Sequence, residues 1–249
     1  MGTEIGGTPR AKRRLQDAPK PVVERWMRIK GIRWARTISR AYMRLKLPIS
    51  ERERRKALER TFETIKYYAI KNENGRFRGT STIFNIGLYL LIADRDIQAV
   101  KIDALTHPNE WNRKLNARII LLTIYEWDAD KVTGRTLRDA LDSMMIPDDL
   151  KSQAVGVLRR LRLVQRKVTK NFSFVRNATI GHRDPNALAQ YRAIRDLNID
   201  EVMAIAVEFF AAVEQFIALL TQIMLAGNSL QSYARQWIES ESNNTASEH

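Results

Sequence analysis

The chain has no cysteine, which excludes disulfides, thiol catalysis and cysteine-type zinc sites. It has only three histidines among 249 residues, too scattered to give a pair of metal ligands at helical spacing. It also lacks a glycine-rich phosphate loop, an alternating strand pattern and an internal repeat. The polar, basic first twenty residues contain no apolar core of a secretory signal. We therefore expect a cytoplasmic protein that uses no metal and no cofactor.

Long apolar runs are also scarce. The run at residues 83–93 is too short to cross a bilayer, and the run at residues 202–226 contains Glu208, Glu214 and Gln215. We expect no membrane-spanning helix and no membrane partner. Asp94 and Asp96 lie on different sides of a predicted helix, which favours solvated charges over metal ligands.

Apolar residues recur at intervals of three and four, which predicts an all-α fold. Ser50 and Glu53 have the spacing of a capping box, Pro48 is expected to end the first helix, and Gly227 the eighth. We predict nine helices, at residues 21–46, 51–71, 83–103, 111–128, 136–145, 148–180, 186–196, 200–225 and 230–238.

Positive charge is concentrated at one end of the chain. Residues 1–80 contain 22 Lys and Arg against 8 Asp and Glu, whereas residues 81–249 contain 20 of each. A neutral body with a basic arm predicts a polyanionic partner, for which nucleic acid is our first choice. Solubility, an acidic protein and an anionic membrane surface remain alternatives.

The same charge pattern divides the chain into four parts. We predict a disordered basic tail at 1–19, a basic helical extension at 20–80, a helical bundle at 81–226, and a last helix with a polar tail at 227–249.

We expect Trp26 and Trp34 to lie in the core and the arginines between them to face solvent. The candidate nucleic-acid contacts of the arm are Arg25, Arg28, Arg36, Arg40 and Arg44. A second basic cluster contains Arg159, Arg162 and Arg166, and a solvated helix face is its alternative.

One short segment places a guanidinium, an amide and an imidazole together, on Arg176, Asn177 and His182. Imidazole can take and return a proton near neutral pH, and an arginine can hold a phosphate by paired hydrogen bonds. On an ideal α-helix Arg176 and His182 would point about 120° apart. They can converge only where the helix ends or bends, and Gly181 is a suitable position.

The segment runs R-N-A-T-I-G-H-R-D from Arg176 to Asp184. It resembles the R-N-x-x-x-A-H-R-D form of the R-N-x(n)-H signature in the HEPN-like superfamily, as found in abortive-infection domains, with Gly181 in place of the usual alanine. The resemblance covers about residues 81–226. It implies a HEPN-like helical bundle and a metal-independent endoribonuclease, a toxin or phage-defence effector with a possible antitoxin partner.

The resemblance also implies roles for these residues. His182 would take the proton of a ribose 2′-hydroxyl or protonate the leaving oxygen, and Arg176 would stabilise charge on the phosphate. Asn177 would hold the phosphate or orient His182, and Arg183 would contact RNA. Because HEPN-like ribonucleases pair two copies around one cleft, the resemblance implies a homodimer.

A structural interpretation of the same residues stays open. Arg176 would then pair with an acid, Asn177 would cap a helix, and the chain would be a catalytically silent module that binds nucleic acid or protein. The dimer has a second motivation, since Phe209 and Phe210 point about 100° apart and give the helix at 200–225 a wide apolar surface. Either another helix of the same chain or a second copy would cover it.

Overall fold

The computed structural model describes residues 20–73, 76–127, 136–181 and 185–247, without the side chains of 20–30, 32, 33, 36 and 242–247. Every regular element in these ranges is helical, so the all-α prediction is confirmed. The helices are α1 (Lys20–Ser50), α2 (Arg52–Lys71), α3 (Arg78–Thr106), α4 (Glu110–Glu126), α5 (Thr136–Ser143), α6 (Asp148–Arg176), α7 (Ala187–Arg195), α8 (Ile199–Gly227) and α9 (Leu230–Ser247). A π-helical turn, Asn177–Gly181, follows α6 directly.

Helix α3 lies at the centre of the bundle and packs against α2, α4, α5 and α8, while α8 also packs against α4 and α6. One hydrophobic cluster joins these helices, with Ile83 and Leu90 of α3, Ile120 of α4 and Phe216 of α8 fully buried. Ile65 of α2 belongs to the same cluster, so α2 shares the core of the bundle.

Helix α8 is the one helix in the described ranges that is long and apolar enough to cross a membrane. Length and composition alone do not separate a membrane span from a core helix. In this fold Val202, Phe209, Phe216 and Ile223 of α8 are buried in the core cluster. The apolar character of α8 is therefore the character of a core helix.

Side-chain caps begin three of the helices where the sequence predicted breaks. Asn109 accepts the backbone N–H of Trp111 at 2.8 Å, and Asn198 accepts that of Asp200 at 3.0 Å. Asn186 caps α7 in the same way. Each side chain satisfies backbone donors that the first turn leaves free, which fixes the start of the helix.

The capping box predicted at Ser50 and Glu53 is wrong. The Ser50 hydroxyl donates to the carbonyl of Leu47 at 3.1 Å, and Glu51 takes the position before α2 without a side-chain cap. Pro48 also lies inside α1 instead of ending it. Proline lacks the N–H that would bond to the carbonyl four residues earlier, yet α1 continues through it for two more residues. At the other end of the chain, α9 continues past residue 238 to Ser247.

The predicted core position of Trp34 is wrong, because its side chain is 69% exposed. Helix α1 packs on α3 with its opposite side, where Met43 and Leu47 are half-buried. Arg44 on that side pairs with Asp103 of α3 at 3.5 Å. The side chain of Trp26 lies outside the described residues.

The wide apolar surface of α8 is covered within the chain. Phe209, Phe210 and Phe216 are all buried. The Arg54 guanidinium lies 5.6 Å from the centre of the Phe210 ring, and the Lys101 ammonium 5.5 Å from it. Of the two covers that the sequence left open, the structure thus shows helices of the same chain, and the α8 surface no longer argues for a second copy.

Candidate functional site

The motif segment leaves α-helical geometry immediately after Arg176. Helix α6 ends there and the π-helical turn carries the chain to Gly181. A π-helical turn joins residues five apart, which is the separation of Arg176 and Gly181. A Cβ added to Gly181 would lie 3.0 Å from Nε and 3.1 Å from Cζ of Arg176. The Arg176 side chain therefore packs directly on the backbone of the residue bonded to His182.

Three groups hold the Arg176 guanidinium, whose side chain is mostly buried. It forms an ion pair with Glu126, donates to the Asn177 side-chain oxygen at 2.7 Å and lies 4.6 Å from the centre of the Tyr125 ring. Its Nε is buried without a hydrogen-bond partner among the described atoms. Tyr125 and Glu126 end α4, and their alignment with α6 fixes the guanidinium in place.

Buried cations of α4 hold the turn from the other side. Arg118, which is 5% exposed, donates through Nη1 to the carbonyl of Thr179 at 3.3 Å and through Nε to that of Lys114 at 3.3 Å. Lys114, also buried, donates to the carbonyl of Arg195 in α7. These bonds tie α4 to the π-helical turn and to α7, so the turn is held rigidly beside Arg176.

Lys114 also pairs with Glu110 at 2.9 Å. This hydrogen bond lowers the pKa of the Glu110 carboxyl, with the charge of Lys114 acting in the same direction. Burial lowers the pKa of the neighbouring Arg113, and the nearby charge of Arg40 adds to the effect. The end of α4 near α1 therefore carries a dense group of charges.

Of the predicted catalytic residues, the structure brings together Arg176 and Asn177. His182 lies outside the described residues, as do Arg183 and Asp184. Asn177 is exposed, and its side-chain oxygen is turned to Arg176. The sequence reasoning missed Glu126 and Tyr125 because they lie about fifty positions before Arg176, and no local spacing connects them.

The predicted nucleic-acid arginines lie on two surfaces. Of the α1 set, Arg40 is half-buried and Arg44 pairs with Asp103, while the side chains of Arg25, Arg28 and Arg36 lie outside the described residues. The second cluster is on α6. There Arg159 and Arg166 are exposed and Arg162 is half-buried. The α6 surface therefore presents cations to solvent along the helix that leads to Arg176.

His107, the one histidine within the described ranges, has a structural role. The ring of His107 accepts the backbone N–H of Asn109 at 3.1 Å, and its other nitrogen lies 3.2 Å from the Asn112 amide. Within the described ranges no group of three or more histidine, aspartate or glutamate side chains is placed to hold a metal ion.

A guanidinium held by an aromatic ring, a carboxylate and an amide is a suitable group for a phosphate, because it is oriented before the ligand arrives. Comparison with protein-family models found no matching family, and comparison with curated proteins and with solved structures found no significant match.

Proposed function

We propose that this chain is a metal-independent endoribonuclease of the HEPN-like type, a cytoplasmic toxin or phage-defence effector. The observation that supports the proposal is the packing of Arg176 on Gly181 at the π-helical turn. Gly181 is the residue before His182 in the sequence, so the cation is held against the backbone immediately before the predicted catalytic histidine. The motif resemblance supplies the type of reaction.

In the proposed reaction a ribose 2′-hydroxyl attacks the adjacent phosphorus and the bond to the 5′-oxygen breaks. The products are a 2′,3′-cyclic phosphate and a 5′-hydroxyl. The 2′-hydroxyl loses a proton and the 5′-oxygen gains one; His182 carries out one of these transfers and water the other. Arg176 stabilises the charge that grows on the phosphate. The Asn177 oxygen accepts from Arg176, which leaves its amide N–H groups for the phosphate. DNA lacks the 2′-hydroxyl and is not a substrate.

Before RNA binds, the Arg176 guanidinium is paired with the Glu126 carboxylate. The carboxylate accepts from the guanidinium Nη2 and so competes with a phosphate for the same cation. Glu126 is about half exposed, and its carboxylate can move into solvent at little cost. We expect Glu126→Gln to lower the KM for RNA severalfold, because a neutral amide competes less well with phosphate for the cation.

The basic surfaces would supply general affinity for RNA. We propose that the α1 arginines and the exposed Arg159 and Arg166 of α6 contact phosphates, and that two copies pair to form one cleft. Each phosphate contact on single-stranded RNA contributes about −0.7 to the slope of log affinity against log salt concentration. Replacing Arg25, Arg28 and Arg36 together by glutamine should therefore flatten the slope by about 2.

The test is an assay of mixed RNA with purified protein in EDTA. Cleavage that leaves 2′,3′-cyclic phosphate ends is expected, with a loss of about 10²–10³-fold in Arg176→Ala. His182→Ala should be at least as impaired, whereas Arg138→Ala, an exposed arginine on α5, is the matched control and should cleave normally. Cleavage that persists unchanged in both motif variants would contradict the proposal.

The second candidate is a catalytically silent binding module. It is favoured by the contacts of Arg176 with Glu126 and Asn177, which are also those of a structural ion pair. In that case Arg176→Ala lowers the melting temperature and no RNA is cleaved by any form of the protein. Arg176→Lys separates the two candidate functions, since it keeps the charge but removes the paired geometry that a phosphate needs. A ribonuclease should lose cleavage in this variant, whereas a binding module should show only a change in melting temperature.

A further inference from the structure

Helix α1 carries a continuous row of exposed apolar side chains, here called the α1 stripe. Its members are spaced by four, four, three and four residues, so they lie within an arc of about 80° and extend about 22 Å along the helix. Each is between 58% and 72% exposed, although these residue types normally lie inside a fold. The α1 stripe consists of Trp34, Ile38, Tyr42, Leu45 and Ile49.

The stripe faces away from the bundle. Helix α1 is attached to α3 by its opposite side, through the half-buried Met43 and Leu47 and the Arg44–Asp103 pair. The stripe cannot turn inward while these contacts hold. An apolar row of this length on a helix surface indicates a partner that has its own apolar region.

The charge of α1 specifies that partner further. The helix contains nine Lys and Arg residues and a single acidic residue, Glu24. The arginines nearest the body already face acidic groups, Arg44 at Asp103 and Arg40 near Glu110. The other seven Lys and Arg residues of α1 leave a strong positive charge, which an anionic partner would balance.

We infer that α1 docks the protein on the surface of an anionic lipid bilayer. The α1 stripe enters the boundary between headgroups and acyl chains, and the cations of the helix meet the anionic headgroups. Trp34 and Tyr42 combine an apolar ring with a polar edge, which suits that boundary. The surface of a bilayer needs only one face of the helix, and one face is what α1 has free.

Other occupants fit these observations less well. Bases can stack on Trp34 and Tyr42, but a nucleic acid has nothing to cover Ile38, Leu45 and Ile49. A protein groove encloses most of the helix it binds, and α3 already occupies the opposite side of α1. A second copy would place two strongly basic helices against each other.

This inference revises the expectation of no membrane partner. That expectation rested on the lack of a spanning segment, whereas docking on a surface needs none and uses exposed side chains. An anionic membrane surface was one of the alternatives that the basic arm left open. The inference goes beyond the proposed ribonuclease and does not depend on it. His182→Ala should bind vesicles as the natural chain does.

The test is flotation of the full chain with vesicles of phosphatidylcholine, alone or with an anionic phospholipid. Binding is expected only with the anionic lipid, and high salt should weaken it. The variant Leu45→Ser/Ile49→Ser should lose at least about tenfold in affinity for each side chain, because each loses the transfer of an apolar group from water. Val155→Ser/Leu163→Ser, which changes two exposed apolar residues of α6, is the matched control and should bind normally.

Circular dichroism and thermal unfolding check that the stripe variant is folded. Equal vesicle binding by the stripe variant and the natural chain would overturn the inference. A natural chain that does not bind anionic vesicles would also overturn it. In that case, loss of single-stranded RNA binding by the stripe variant would point to nucleic acid, and a change from dimer to monomer in light scattering would point to a second copy. Failure of the ribonuclease proposal would leave vesicle binding unchanged, so the two can be told apart.

Discussion

Helices α8 and α1 both carry apolar side chains at helical spacing, yet the fold uses them in opposite ways. In α8 the rings of Phe209 and Phe216 are fully buried, although the helix is apolar on more than one side. In α1 the stripe from Trp34 to Ile49 is exposed, and the side with Met43, Leu47 and Arg44 faces α3. Periodicity therefore identifies an apolar face, but it does not identify what covers that face.

The difference follows from the neighbours of each helix. α8 lies among α3, α4 and α6, so several helices remove its surface from water. Within the described ranges, the substantial packing of α1 is against α2 and α3, through half-buried residues and a surface ion pair. The apolar side chains of α8 stabilise the fold, whereas those of α1 are available for binding.

The largest expected effect comes from one aromatic truncation in each helix. Phe209→Ala removes a ring that packs edge-on against Trp127 at 6.1 Å, and it should lower the free energy of unfolding by about 3–5 kcal/mol. Tyr42→Ala removes a ring that is 58% exposed and should change stability by at most about 0.5 kcal/mol. Urea unfolding followed by circular dichroism measures both. Similar losses would mean that the two helices are not different in the way described.

A glycine-to-alanine pair makes the same contrast with a smaller change. A Cβ on Gly79 of α3 would lie 2.9 Å from the carbonyl oxygen of Ala140 and 2.9 Å from Met144 Cγ, so Gly79→Ala should cost about 1–3 kcal/mol. A Cβ on Gly31 of α1 meets nothing within 4 Å, so Gly31→Ala should stabilise the helix by about 0.5–1 kcal/mol. Thermal unfolding gives the signs, and the same sign for both would refute the contrast.

The fold could be predicted from sequence wherever the signal is local. Asn109 and Asn198 begin helices because their side chains reach backbone donors two residues away, a relation that the sequence shows directly. The position of Trp34 could not be predicted in this way. Its burial depends on whether another helix reaches that side of α1, which a helical period does not contain.

The candidate site divides along the same line. The need for a break follows from the separation of Arg176 and His182 by six positions, and the structure has a π-helical turn directly after Arg176. Glu126 and Tyr125 contact Arg176 only because α4 and α6 align in the fold. The ion pair and the ring contact of the Arg176 guanidinium therefore depend on the tertiary structure.

The third prediction concerns Asp94, which was expected to be solvated but is buried beside α8. Burial raises its pKa although Gln98, Arg54 and Lys101 oppose the shift, and Glu214 of α8 adds to it. A carboxyl with a raised pKa in the folded state stabilises the fold at low pH, and this stabilisation is lost as pH rises through the folded pKa. Asp94→Asn should therefore flatten the decline in stability from acidic to neutral pH.

Chemical denaturation across that pH range measures the effect of Asp94→Asn. Glu110→Gln is the control of opposite sign. Lys114 lowers the pKa of the Glu110 carboxyl, so its contribution to the free energy of unfolding is lost as pH falls. The assignment to Asp94 is wrong if the stability curve of Asp94→Asn is parallel to that of the natural chain over the whole range.

The smallest expected effect tests how α1 is attached. Arg44→Gln breaks the pair with Asp103, in which both side chains are close to half exposed, and should cost at most about 1 kcal/mol. Because α1 has few other contacts with the body, this small loss should appear as faster amide hydrogen exchange in α1, with exchange in α8 unchanged. High salt should reproduce the effect in the natural chain, since it screens an exposed ion pair. If exchange in α8 quickens as much as in α1, then α1 unfolds together with the core, and the contrast between the two helices does not extend to their stability.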